Sequence, residues 1–246
     1  MALKLYLAMT GAEIRNSPAP PEHMAWMACH FSPYGTGISN VPPLLPPDSM
    51  LILNDLVPPQ GHDPRDVARQ LREAAEDLDA ARVLLDFQRP GDPQTAAIAA
   101  AVIRELTCSV GISDLYAGNW GCPVFLTPAL HRPLKDQLEV WNGREVWLEA
   151  ALDCQEAVLT EEDCRFSPGV WSDEVAHCHE DNQLHCRYYI QTEDTCVRFT
   201  LWRGPAELQA LLDEGENLGI GCAIGLYQQL GETRTDRSPS AQVPSQ

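Results

Sequence analysis

The stretch Ala81-Arg-Val-Leu-Leu-Asp-Phe-Gln-Arg-Pro90 limits the fold more than any other part of the chain. Its apolar residues run without polar alternation, as in a strand buried on both faces of a parallel sheet, and the run ends abruptly in Asp86, Gln88 and Arg89. Polar residues just past the carboxyl end of such a strand are where α/β barrels place their chemistry. The stretch therefore reads as a central strand and as the floor of a polar site.

Seven other short apolar runs resemble it, at residues 3–9, 24–29, 50–53, 108–112, 123–126, 145–148 and 220–224. With residues 82–85 they make eight, the number a closed barrel needs, and 246 residues at 44% hydrophobic content can bury one such core. Two connections are plainly helical. Asp63-Pro64 opens a segment with Val67, Leu71, Ala74 and Leu78 at helical spacing, and Asp92-Pro93 opens the Ala-rich segment 94–106. A third helix is expected at 205–214, with Gly215 and Gly219 available to end it. Strand and helix alternating in this way signify right-handed parallel units. The fold class is an α/β, irregular (β/α)8 barrel, irregular because prolines and glycines fill residues 31–49 and make that crossover an ordered loop.

Between Cys154 and Trp202 the pattern changes to short β-branched or aromatic runs separated by acidic turns, read as antiparallel hairpins inserted after the seventh strand. The organisation expected is one barrel domain over 1–230, carrying the insertion at 154–202, and a disordered Ser/Pro-rich tail over 231–246.

Thirty-five acidic against 17 basic side chains give a formal charge of −18, which repels nucleic acid and anionic membranes. No run reaches the ~18 apolar residues of a membrane span, and residues 1–10 do not form a secretory core. Nine scattered cysteines then read as reduced thiols, so a cytoplasmic location is expected.

Residues that follow each strand of a barrel converge on one mouth: here His30, Asn54, Asp55, Asp86, Gln88, Arg89, Ser113, Asp114 and Glu149. Strand-end acids also serve as turn formers and helix caps, the role expected of Asp63, Asp92 and Asp48. Asp86 stands apart, because an acid within a strand exit is costly to bury unpaired, with Arg89 as its obvious structural partner.

Asp86-Phe87-Gln88 is similar to the close of the Asp-x-x-Asp-x-Asp-x-Glu motif that ends the fourth strand in chitinase-like family 18 glycoside hydrolases, which are (β/α)8 barrels. Some members also carry a small insertion after the seventh strand. Ala81 and Leu84 stand where the motif's earlier acids would be, and Gln88 stands where its catalytic acid would be. The resemblance implies a glycoside hydrolase or a degenerate, sugar-binding relative. An amide cannot protonate a glycosidic oxygen, but it can hydrogen-bond a sugar amide or hydroxyl.

Another barrel arrangement puts two catalytic carboxylates at the ends of strands four and seven, and Asp86 and Glu149 occupy those places. The substrate contacts expected around them are Gln88, Arg89, Asn54, Asp55, His30, Ser113 and Asp114. Trp120, Trp141, Trp147 and Tyr34 can stack on sugar faces or simply pack.

In His177-Cys-His-Glu-Asp-Asn-Gln-Leu-His-Cys186, a hairpin loop at 180–183 would gather His177, His179 and Cys186 on one face, able to hold zinc. No other cofactor is expected. No cysteine sits at a helix start beside a base, and the glycines of Gly219-Ile-Gly-Cys-Ala-Ile-Gly225 lie in a strand rather than a phosphate loop. The leading expectation is a small-molecule or glycan ligand bound at the barrel mouth. The alternatives are a metal-assisted hydrolase or lyase using His30, Asp55, Asp86 and Asp114, a non-catalytic interaction protein, and a zinc site that serves stability.

Overall fold

The elements run, in chain order, β1 (Lys4–Met9), α1 (Gly11–Asn16), β2 (Met24–Phe31), β3 (Ile38–Ser39), β4 (Met50–Asn54), α2 (Pro64–Asp77), β5 (Arg82–Asp86), α3 (Pro93–Glu105), β6 (Ser109–Ser113), β7 (Val124–Leu126), α4 (Leu134–Glu139) and β8 (Val146–Glu149). After these come β9 (Asp153–Leu159), β10 (Cys164–Pro168), β11 (His179–Asp181), β12 (Cys186–Thr192), β13 (Val197–Arg203), α5 (Pro205–Asn217), β14 (Cys222–Leu226) and α6 (Tyr227–Thr235). This computed structural model describes residues 2–17, 21–171 and 177–235.

The parallel order β1-β14-β8-β7-β6-β5-β4-β2 is closed by β1 pairing with β2, Leu7 opposite Met24 and Met9 opposite Trp26, and this makes the expected eight-stranded barrel. The short β3 adds an antiparallel ninth strand on β2. Side chains alternate between the two faces of each barrel strand. One set, including Tyr6, Met50, Leu84, Phe125 and Trp147, packs inside the barrel. The other set, including Leu53, Val83, Leu85 and Phe87, packs outward against Val67, Leu71, Ile98 and Val102 of α2 and α3.

Trp147 is wholly buried, and a Cβ placed on Gly111 would come within 2.4 Å of its ring, so the indole fills space that only glycine leaves on β6.

Local chemistry explains where the helices begin and end. The Asp63 and Asp92 carboxylates accept the N–H of Arg65 and Gln94, and a proline follows each at the first helical position, where no N–H is needed. The helix α5 runs past Gly215, which packs on Leu148 and Ile220, and is ended by Gly219 at φ +89°.

Asp48 is a turn residue at φ +56° rather than a helix cap, and its carboxylate takes Lys4 at 2.6 Å and Arg82 at 3.3 Å at the barrel end opposite the mouth. The Lys4 hydrogen bond, foremost, holds it below the usual carboxylate range. Residues 231–235, expected in the tail, continue α6, and residues 236–246 lie outside the described residues. Among the described residues no helix is long and apolar enough to cross a membrane.

The insertion forms a second, antiparallel sheet in the order β10-β9-β13-β12-β11. Leu130, from the loop after β7, packs with Ala157, Cys186 and Leu201 beneath it. His131 stacks on Phe166 at 3.9 Å, and its Nδ1 lies 2.9 Å from Gln155 Oε1. Arg203, 2% exposed, donates to the carbonyls of Pro128, Leu184 and His185 at 3.3–3.4 Å.

Candidate functional site

Register places three strand ends level: His30 is opposite Asn54, and Asn54 is opposite Asp86. Alternation along β5 puts Leu84, Asp86 and Gln88 on the barrel side, with Leu85 and Phe87 packed outward. On the far wall Glu149 pairs in register with Ile224. These ends open onto a cavity of about 650 Å³ whose walls include His30, Asn54, Asp55, Asp86, Gln88, Arg89 and Glu149. Asp55, Asp86 and Glu149 therefore share one mouth, as a barrel requires.

Within that mouth several expected contacts hold the backbone instead of facing a ligand. Both Asp55 oxygens are committed, accepting the N–H of Gln88 and of Arg89 at 3.0 Å, so this buried carboxylate shapes the exit of β5. Asn54 donates to the Met27 carbonyl at 2.8 Å and accepts the Leu56 N–H at 3.1 Å. His30 Nδ1 lies 2.7 Å from the Phe31 carbonyl, which can only accept, so Nδ1 carries the proton and Nε2 accepts from the Asn40 amide at 2.8 Å.

Two predicted residues do not line the cavity. Ser113 is buried, its hydroxyl donating to the Phe87 carbonyl at 2.7 Å and accepting the Phe87 N–H at 3.2 Å. Asp114 opens a 3-10 turn, Asp114–Tyr116, and is not part of the cavity lining. The partner expected for Asp86 is also different. Arg89 donates to the Leu56 carbonyl at 3.0 Å, while Gln88 Nε2 donates to Asp86 at 2.5 Å.

Burial, foremost, raises the Asp86 pKa; the Gln88 hydrogen bond opposes that and the Asp55 charge adds to it. Burial likewise raises Glu149, against a hydrogen bond from Thr127 and with the charges of Asp86, Asp153 and Asp114 adding to it.

The hairpin cluster is not assembled. Asp181, not His177, pairs with Cys186, because the Asp181 carboxylate accepts the N–H of Gln183 and Leu184 and turns the chain at 182–185. Cys186 is consequently buried against Leu130 and Leu201, while His177 and His179 are exposed, and His179 lies against the Tyr188 ring. Among the described residues no group of three or more His, Cys, Asp or Glu side chains is placed to hold a metal; of the set His30, Asp55, Asp86 and Asp114, the first three line the cavity and Asp114 does not.

Of the aromatics offered for stacking, Trp147 is core, Trp120 lies under Arg104, Trp141 packs beside Arg144 and Tyr34 is 87% exposed; none of the four lines the mouth. The wall residues that sequence reasoning missed include Thr10, Asn40, Met27, Phe125 and the small or aliphatic residues Ala8, Ala150, Ala151, Ile224 and Leu226. Thr10 had a signal, the capping box with Glu13 that opens α1.

Fold and site together define a (β/α)8-type barrel with a carboxylate-bearing mouth at the carboxyl ends of its strands. Among solved structures, the chain is similar to a chitinase from Chromobacterium violaceum (TM-score 0.54, 10% identity, 91% of this chain and 93% of that one). It is also similar to the C-terminal domain of a Desulfitobacterium hafniense protein assigned as a chitinase (TM-score 0.51, 8% identity, 92% and 94%). A third is a Bacillus subtilis protein assigned as a sporulation-specific glycosylase (TM-score 0.50, 9% identity, 82% and 90%). At these identities the likeness is one of fold. No protein-family model matches the sequence, and no curated protein matches it either.

Proposed function

We propose that the barrel mouth binds a carbohydrate and cleaves it slowly or not at all. The observation that carries this reading is the Asp86–Gln88 pair: both side chains line the cavity, and the group against Asp86 is an amide. An amide recognises hydroxyl and acylamino groups but has no proton to give a leaving oxygen. The similar barrels named as chitinases and a glycosylase support the ligand class, and the family 18 resemblance of Asp86-Phe87-Gln88 supports loss of an acid at Gln88.

Calorimetric titration with plain and N-acetylated oligosaccharides, run beside turnover of chromogenic glycosides, tests this. Expected are binding without appreciable turnover in wild type, weaker binding in Asp86→Asn, and slow hydrolysis gained by Gln88→Glu. Failure of every sugar to bind would overturn the carbohydrate reading.

One observation favours a second reading. Asp86 and Glu149 line the same cavity, and two carboxyls facing one barrel mouth are what glycoside hydrolysis uses. Under that reading wild type already turns over a glycoside, and Asp86→Asn or Glu149→Gln each lowers the rate by about 100-fold or more.

A further inference from the structure

The polar groups at the mouth gather mainly on one side of the cavity. On that side Asp86 and Gln88, with the internally hydrogen-bonded His30 and Asn54 beside them, stand on the adjoining strands β2, β4 and β5 above the apolar Met27, Ile52 and Leu84. Across from them, the adjoining β1, β14 and β8 ends present Ala8, Ile224, Leu226, Ala150 and Ala151, with Glu149 and Thr10 as the polar groups among them. No Trp or Tyr lines the cavity among the described residues, and the Phe125 ring that does is 4% exposed and packed in the barrel interior, so it offers little platform for a sugar face. A sugar hydroxyl laid against the aliphatic wall would lose its hydrogen bonds to water and gain none in exchange, whereas a methylene there gains by leaving water. The cavity, about 650 Å³, is within the range of small-molecule sites of about 300–1,000 Å³.

From this division we infer that the ligand is amphipathic: a glycoside whose sugar lies on the β2–β4–β5 wall and whose aglycone is an aliphatic chain on the β1–β14–β8 wall. The inference rests on the carbohydrate reading above and adds to it the nature of the group attached to the sugar. Each methylene buried on the aliphatic wall then raises affinity about fourfold until the chain leaves the cavity.

The test is titration of the full chain with methyl, butyl, hexyl and octyl glycosides of glucose and of N-acetylglucosamine, all below micelle formation, with hexanol and octanol alongside. Expected is an affinity that climbs with chain length, alkanols that bind more weakly than the matching glycosides, and a shallower climb in Leu226→Asp. Thermal melts confirm that the variant is folded, and the wild-type series is decisive without it. Equal affinity for methyl and octyl glycosides would overturn the inference and leave the carbohydrate reading intact. Alkanols binding as well as the glycosides would overturn it too, since the sugar would add nothing. If no glycoside or oligosaccharide binds, both readings fall.

Discussion

The Gln88 carboxamide and the Asp86 carboxylate form one hydrogen-bonded unit, 2.5 Å apart, on the barrel side of the β5 exit. The amide favours the ionised acid and so works against the burial that raises its pKa.

Replacing that amide by an acid should reverse the balance. In Gln88→Glu two carboxyls face each other, and one holds its proton to higher pH than it would in the unfolded chain. Stability arising from that extra proton is present at low pH and is lost as pH rises. Thermal melts should find the variant less stable than wild type at pH 7, with the gap closing toward pH 4.

Glu149 supplies a second pH signature. Its folded pKa is raised, first by burial, so between the unfolded value and the folded one the native state holds more protons, and stability falls as pH climbs through that window. Glu149→Gln removes this loss. Its melting temperature relative to wild type should be higher at pH 7 than at pH 4, and an unchanged difference across that range would contradict the assignment.

Asp55 is expected to matter for shape. Asp55→Ala strips the partners from two backbone N–H groups, those of Gln88 and Arg89, at about 1–3 kcal/mol for each one left unsatisfied. Urea titration should register a loss of that order, and Gln88 should no longer be held against Asp86.

Gly111→Ala tests the interior. The added methyl meets the buried Trp147 ring, and overpacking of this kind costs about 1–3 kcal/mol. Near-ultraviolet circular dichroism should report the displaced indole along with the lower urea midpoint.

Much of this architecture can be read in the sequence. Unbroken apolar runs marked the eight barrel strands, Asp-Pro pairs marked the starts of α2 and α3, and acidic turns marked the second sheet. The mouth was legible at Asp86 and Glu149, polar residues that end a strand.

What escaped depended on side-chain direction. Ser113 looks like a mouth residue in sequence, but its hydroxyl is turned onto the Phe87 backbone. The hairpin register was set by two amides on Asp181 and by His185 at φ +47°, neither of which pattern alone reveals. The aliphatic wall escaped because alanines carry no motif, and residues 231–235 because polar composition does not separate a helix end from a tail.

Arg203 ties the two sheets together in a way that bears on how the molecule comes apart. Its guanidinium takes one carbonyl from the barrel loop at Pro128 and two from the insertion hairpin at Leu184 and His185, and water scarcely reaches it. Lifting the second sheet would carry Arg203 away from the Pro128 carbonyl and strip Leu130 from Ala157, Cys186 and Leu201, an opening costlier than the fraying of an ordinary loop. Barrel and insertion should therefore melt as one cooperative unit, with amide hydrogens in β12 and β13 exchanging at rates close to those in β8.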